Sequence, residues 1–96
     1  MNWKDATTYS RNDTKREATS WELNTGIIRI WVSNAHIYYP GVWVYTCHEL
    51  KIDAKSLNLP ADATPEKAQK RAIAWVKMRL QNMLDSLEQP PAPNLP

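Results

Sequence analysis

The adjacent pair Cys47-His48 is the first place to look for chemistry, because a thiol in contact with an imidazole makes an activated nucleophile. The pair sits at the end of an alternating run, Val42-Trp43-Val44-Tyr45-Thr46-Cys47, which reads as a strand. Neighbours in a strand point to opposite faces, so thiol and imidazole cannot meet there. A hairpin could bring His36 nearer, yet no spacing specifies it. His36, Cys47 and His48 lack the spacing of a zinc site, and Asp53 and Asp62 do not form a calcium loop. The chain has two glycines, Gly26 and Gly41, too few for a phosphate-cradling loop. The expectation is a protein that is not an enzyme, with no catalytic residues, no metal and no cofactor.

The elements that would position these side chains are strands followed by one helix. Ser20–Leu23 reads as a short strand, Asn24-Thr25-Gly26 as a turn, and Ile27–Ser33 as a strand dense in β-branched and aromatic residues. Asn34-Ala35 is expected to close a hairpin into His36-Ile37-Tyr38-Tyr39. Pro40-Gly41 should break the chain before the strand from Val42 to about Thr46, with a continuation to Ile52 open. Residues 53–64 read as a connector in which Asp53–Leu57 makes a helical turn. Thr64-Pro65-Glu66 is a helix start: Thr64 caps free amides, Pro65 fits the first helical position, and Glu66 suits the positive dipole end. The helix runs to about Glu88, roughly 36 Å, which is long for a domain of this size.

The predicted fold is therefore α+β, a three- to four-stranded antiparallel sheet packed on one long C-terminal helix. Residues 20–88 form the single domain. Residues 1–19, polar apart from Trp3 and Tyr9, are expected to be a mobile arm that Trp3 pins, and residues 89–96 a Pro-rich tail. Pro90 and Pro93 match the PxxP spacing of peptide ligands, a weak pattern in a flexible tail.

Each strand has two rows. Ile28, Ile30 and Val32 alternate with Ile27, Arg29 and Trp31; Val42, Val44 and Thr46 alternate with Trp43, Tyr45 and Cys47. The aliphatic rows are expected to pair beneath the helix. Arg29, Trp31, Trp43 and Tyr45 would then line the other face as a partner-binding surface. On the helix, Ala72, Val76, Leu80, Met83 and Leu87 form one apolar stripe, flanked by Ile73 and Leu84. A second strip holds Arg71, Trp75, Met78 and Asn82. Trp75 and Met78 beside Arg71 suit an interface, and equally Trp75 could cover a sheet edge. Lys67, Lys70 and Arg71 oppose the helix dipole by roughly 0.3–1 kcal/mol each, so Lys67 and Arg71 are candidate contacts for an acidic partner.

The net charge of +2 and the sequence pI of 8.8 permit nucleic acid without marking a strong electrostatic footprint. The single cysteine suits a reducing compartment, and the N-terminal residues lack a signal-peptide layout, so a cytoplasmic protein is expected. No apolar run approaches the ~20 residues that span a bilayer. The aromatics are five Trp and four Tyr with no Phe, types favoured where one end is buried and the other wet.

The residues Trp31, His36, Tyr39-Pro40-Gly41-Val42-Trp43 and Thr64-Pro65-Glu66-Lys67-Ala68-Gln69, in a β-β-β-α layout, resemble the small accessory proteins of bacteriophages and prophages, a group that includes anti-CRISPR proteins. The likeness is one of size and layout over about residues 20–88, and it implies action without catalysis: binding a host protein and blocking its work. Three partners follow for the aromatic face. A host protein complex, bound by an inhibitor or adaptor, is favoured. A single-stranded nucleic acid or DNA stacked on the sheet is the alternative, although Arg29 and Lys51 are few cations for tracking phosphates. A homodimer built on that face is the third. The chain's own N-terminal arm, folded over the face with Trp3 and Tyr9 in contact, is a further way to cover it.

Overall fold

Two short turns set the order of the sheet. At 24–28, the Asn24 side chain accepts the Gly26 N–H at 2.8 Å, and the Thr25 hydroxyl accepts the Ile28 N–H at 3.1 Å. Gly26, at φ +89°, supplies the left-handed conformation this loop requires. The second turn is Ile37-Tyr38, between the paired residues His36 and Tyr39. The computed structural model describes residues 2–7 and 18–88.

The strands are β1 (Trp3–Asp5), β2 (Ser20–Asn24), β3 (Arg29–His36), β4 (Tyr39–Cys47) and β5 (Ile52–Ser56). They form one antiparallel sheet in the order β1-β2-β3-β4-β5, followed by the helix α1 (Pro65–Glu88). The class is α+β, but with five strands rather than three or four. The two additional strands are the edges. β1 arises within the expected arm, where Trp3 pairs with Leu23 and Thr7 Oγ1 accepts the N–H groups of Thr19 and Ser20. Residues 8–17, including Tyr9, and the Pro-rich segment 89–96 lie outside the described residues.

β5 replaces the helical turn expected at 53–57. The Ala54 N–H donates to Thr46 Oγ1, and the Leu57 N–H to the Trp43 carbonyl. These long-range bonds to β4 outweigh weak local helix propensity. Pro40 and Gly41, expected to break the chain, lie inside β4, with Gly41 at φ +77° beside a register irregularity opposite Ser33–Ala35. β4 stops at Cys47, and a 3-10 turn, His48–Leu50, leads into β5, so the strand does not continue to Ile52.

α1 begins and ends where the sequence places it. Thr64 Oγ1 accepts the Lys67 N–H at 3.2 Å, the predicted N-cap.

The phase of β4 is the main correction. In β3, Ile30 and Val32 face the helix as expected. Tyr45, not Val44, pairs with Val32, and Trp31 pairs with Thr46. Trp43, Tyr45 and Cys47 are therefore buried with Ile30 and Val32, while Val42, Val44 and Thr46 belong to the opposite row, where Val44 is nonetheless buried. The cause is the turn. Two residues between His36 and Tyr39 tie even-numbered positions of β3 to odd-numbered positions of β4, and one step of register moves a whole row across the sheet. The helix accommodates the large rings because its sheet-facing residues are small: Ala68 and Ala72 are fully buried and Val76 nearly so. Trp21 joins from β2, its ring centroid 5.9 Å from that of Trp43.

Candidate functional site

Three places bring together the residues singled out by the sequence. The first is the sheet face away from α1. Cross-strand partners Lys4, Glu22, Trp31 and Thr46 form one row there, and Ser20, Ser33, Val44 and Ser56 another. Ser20 Oγ donates to Ser33 Oγ at 2.8 Å. Of the expected aromatic quartet, this side carries only Arg29 and Trp31. The Arg29 guanidinium lies 5.5 Å from the Trp31 ring centroid, and the His48 ring 5.4 Å from it. Glu49 Oε1 accepts the backbone N–H of Arg29 at 2.6 Å, which ties the 3-10 turn to the start of β3. Trp43 and Tyr45 are 1% and 4% exposed, so they belong to the core and not to this face.

The second place is a cleft of about 850 Å³ between β5 and α1, lined by Tyr45, Lys55, Trp75, Met78, Arg79 and Asn82 among others. Trp75, Met78 and Asn82, one strip in the sequence, line it together. Trp75 is half-buried and meets Tyr45 edge-on, centroids 5.8 Å apart, so it closes the core beside β5. Burial pushes the Tyr45 phenol above its ordinary value, with the nearby Arg79 cation opposing the rise. Arg71 does not share this cleft. Its guanidinium donates to the carbonyls of Leu57 and Asn58, both at 3.1 Å, and ties the β5–α1 loop to the helix. Lys67 is exposed in the first turn.

The third place was missed as a site. Only the first half of α1 lies on the sheet. From Lys77 to Glu88 every residue is exposed, although the apolar stripe continues through Leu80, Met83, Leu84 and Leu87. Leu80 is 41% exposed and Leu87 83%. The signal for this overhang is helix length: about 36 Å of helix exceeds the ~30 Å that the longest strand, of nine residues, spans.

Cys47 and His48 do not form a nucleophile. Cys47 is fully buried in the core, and burial pushes its thiol up; His48 is exposed on the 3-10 turn against Trp31. Among the described residues no group of three His, Cys, Asp or Glu side chains could hold a metal ion, and no helix is long and apolar enough to cross a membrane. No protein family, curated protein or solved structure matches this chain.

Proposed function

We propose that this chain is a small binding protein that acts without catalysis, as an adaptor or inhibitor that occupies a surface of a partner protein. The observation that carries the proposal is the overhang of α1. Leu80, Met83, Leu84 and Leu87 continue the core stripe into solvent. An amphipathic helix with an uncovered apolar side is a common way to dock on a protein groove. The resemblance to phage accessory proteins is consistent with a host protein complex as the target.

The test compares the full chain with its Leu80→Lys/Leu87→Lys variant as bait in host lysate. Both should show the same far-UV circular dichroism, and only the parent chain should retain a defined protein. Equal capture by both baits overturns the proposal.

The second reading, nucleic-acid binding, draws on the Arg29–Trp31–His48 cluster of the open face. An oligonucleotide complex that survives a rise from about 50 to about 200 mM salt and is lost in Trp31→Ala would favour it; attraction that vanishes with salt is non-specific.

A further inference from the structure

We infer that the 77–88 overhang of α1 pairs with the same segment of a second copy of this chain, antiparallel, about a two-fold axis. The inference rests on the reading of the overhang as an interface and concerns the free chain: a partner protein that docks on the stripe must displace the second copy. Three observations carry it.

The apolar pattern comes first. Ile73, Val76, Leu80, Met83 and Leu87 recur at alternating steps of three and four, the heptad spacing of a helix that packs on another helix. The first two positions are covered within the chain, Val76 buried and Ile73 against the core; the last three are exposed. The same seam thus changes its role along α1, from intrachain packing to an open half-interface.

Charge comes second. Lys77 and Glu88 lie on the same flank of the stripe, about three turns apart. A parallel pair has its two-fold axis along the seam, which sets this flank of one copy on the opposite side from that of the other and brings no Lys77 near a Glu88. An antiparallel pair sets each Lys77 against the other copy's Glu88, at both ends at once. With the two-fold axis between Met83 and Leu84, Leu80 faces Leu87 and each Lys77 lies within about one turn of the other copy's Glu88, which makes the patch complementary to itself, as a two-fold interface must be.

The helix end comes third. The last turn of α1 holds Asp85 and Glu88 and no basic residue. Carboxylates there oppose the negative end of the macrodipole. An antiparallel second copy delivers the missing cation, Lys77, to this terminus.

The overhang spans only ~17 Å, so the buried area falls at the small end for specific interfaces and the dimer should dissociate on dilution. The experiment is sedimentation of the full chain across concentration. Dimer is expected at about 100 μM and monomer well below it. Leu84→Glu should weaken association at least about tenfold, with an unchanged far-UV spectrum. Lys77→Glu and Glu88→Lys should each weaken self-association without touching the core, and a mixture of the two should recover it, because each supplies the charge the other lacks.

A parent chain that stays monomeric at the highest concentration overturns the inference. So does a dimer indifferent to Leu84→Glu, or charge variants that show no preference for each other. Monomers whose lysate partner still depends on the stripe would overturn this inference and leave the proposed function standing. A stripe-dependent dimer that captures nothing would do the reverse.

Discussion

Trp43 shows how one ring decides the orientation of a strand. Packed beneath α1 it is nearly inaccessible, and its indole N–H is buried with no acceptor among the described residues. An orphaned donor costs about 1–3 kcal/mol, so the ring is held there by apolar area and by Trp21. Trp43→Ala should therefore lower stability by about 3–5 kcal/mol in urea unfolding. Trp43→Phe should cost much less, since it removes the orphaned donor together with part of the ring. Equal losses would show that the N–H is satisfied. Beside it, Tyr45 and Cys47 make a pH prediction. Burial raises both groups above their ordinary values, so the unfolded chain releases these protons first. Their contribution is complete below the ordinary thiol range and declines as pH rises through it. The urea midpoint should fall between about pH 8 and about pH 10, and Cys47 should react with thiol reagents only after unfolding.

At the scale of elements, α1 is two helices in one. Residues 65–76 are a lid whose small side chains admit large rings; residues 77–88 hold no buried side chain, and only Met78, Arg79 and Asn82 among them border the cleft beside β5. Ala72→Leu should thus overpack the core by about 1–3 kcal/mol, whereas Ala74→Leu, on the exposed side two residues away, should be near neutral in thermal unfolding. The contrast also marks what the sequence makes legible. The ends of α1 could be read because Thr64-Pro65 and the later prolines are local signals. The alternation of β3 and β4 could be read for the same reason. Which row of β4 faces α1 could not, because it depends on the turn at Ile37-Tyr38, and Pro40-Gly41 looked like a break rather than part of a strand. β5 was hidden because its strand conformation is held by Thr46 and Trp43, residues distant in sequence. Among the site residues, Trp75 and Met78 could be grouped by helical period, while the loop carbonyls that engage Arg71 had no sequence signal.

For the whole molecule, the contrast between a covered sheet and an uncovered half-helix separates stability from association. Substitutions beneath α1 should change unfolding at every concentration. Substitutions in the overhang should act through mass action, so the midpoint of thermal unfolding should rise with protein concentration in the parent chain and not in Leu84→Glu. A midpoint independent of concentration in both would place self-association outside the folding equilibrium.

The order of the sheet has a consequence for how the chain is made. Every strand pairs with its neighbour in sequence, so each pairing closes by a local connection and can form as the chain leaves the ribosome. The helix that covers Trp21, Trp43 and Tyr45 is translated last. Until Ala68–Val76 emerges, the nascent sheet presents its largest rings to solvent or to a chaperone. Chains that stop short of Val76 should therefore be the ones that aggregate during synthesis, while chains that stop between Lys77 and Glu88 can close the core and lose only the overhang.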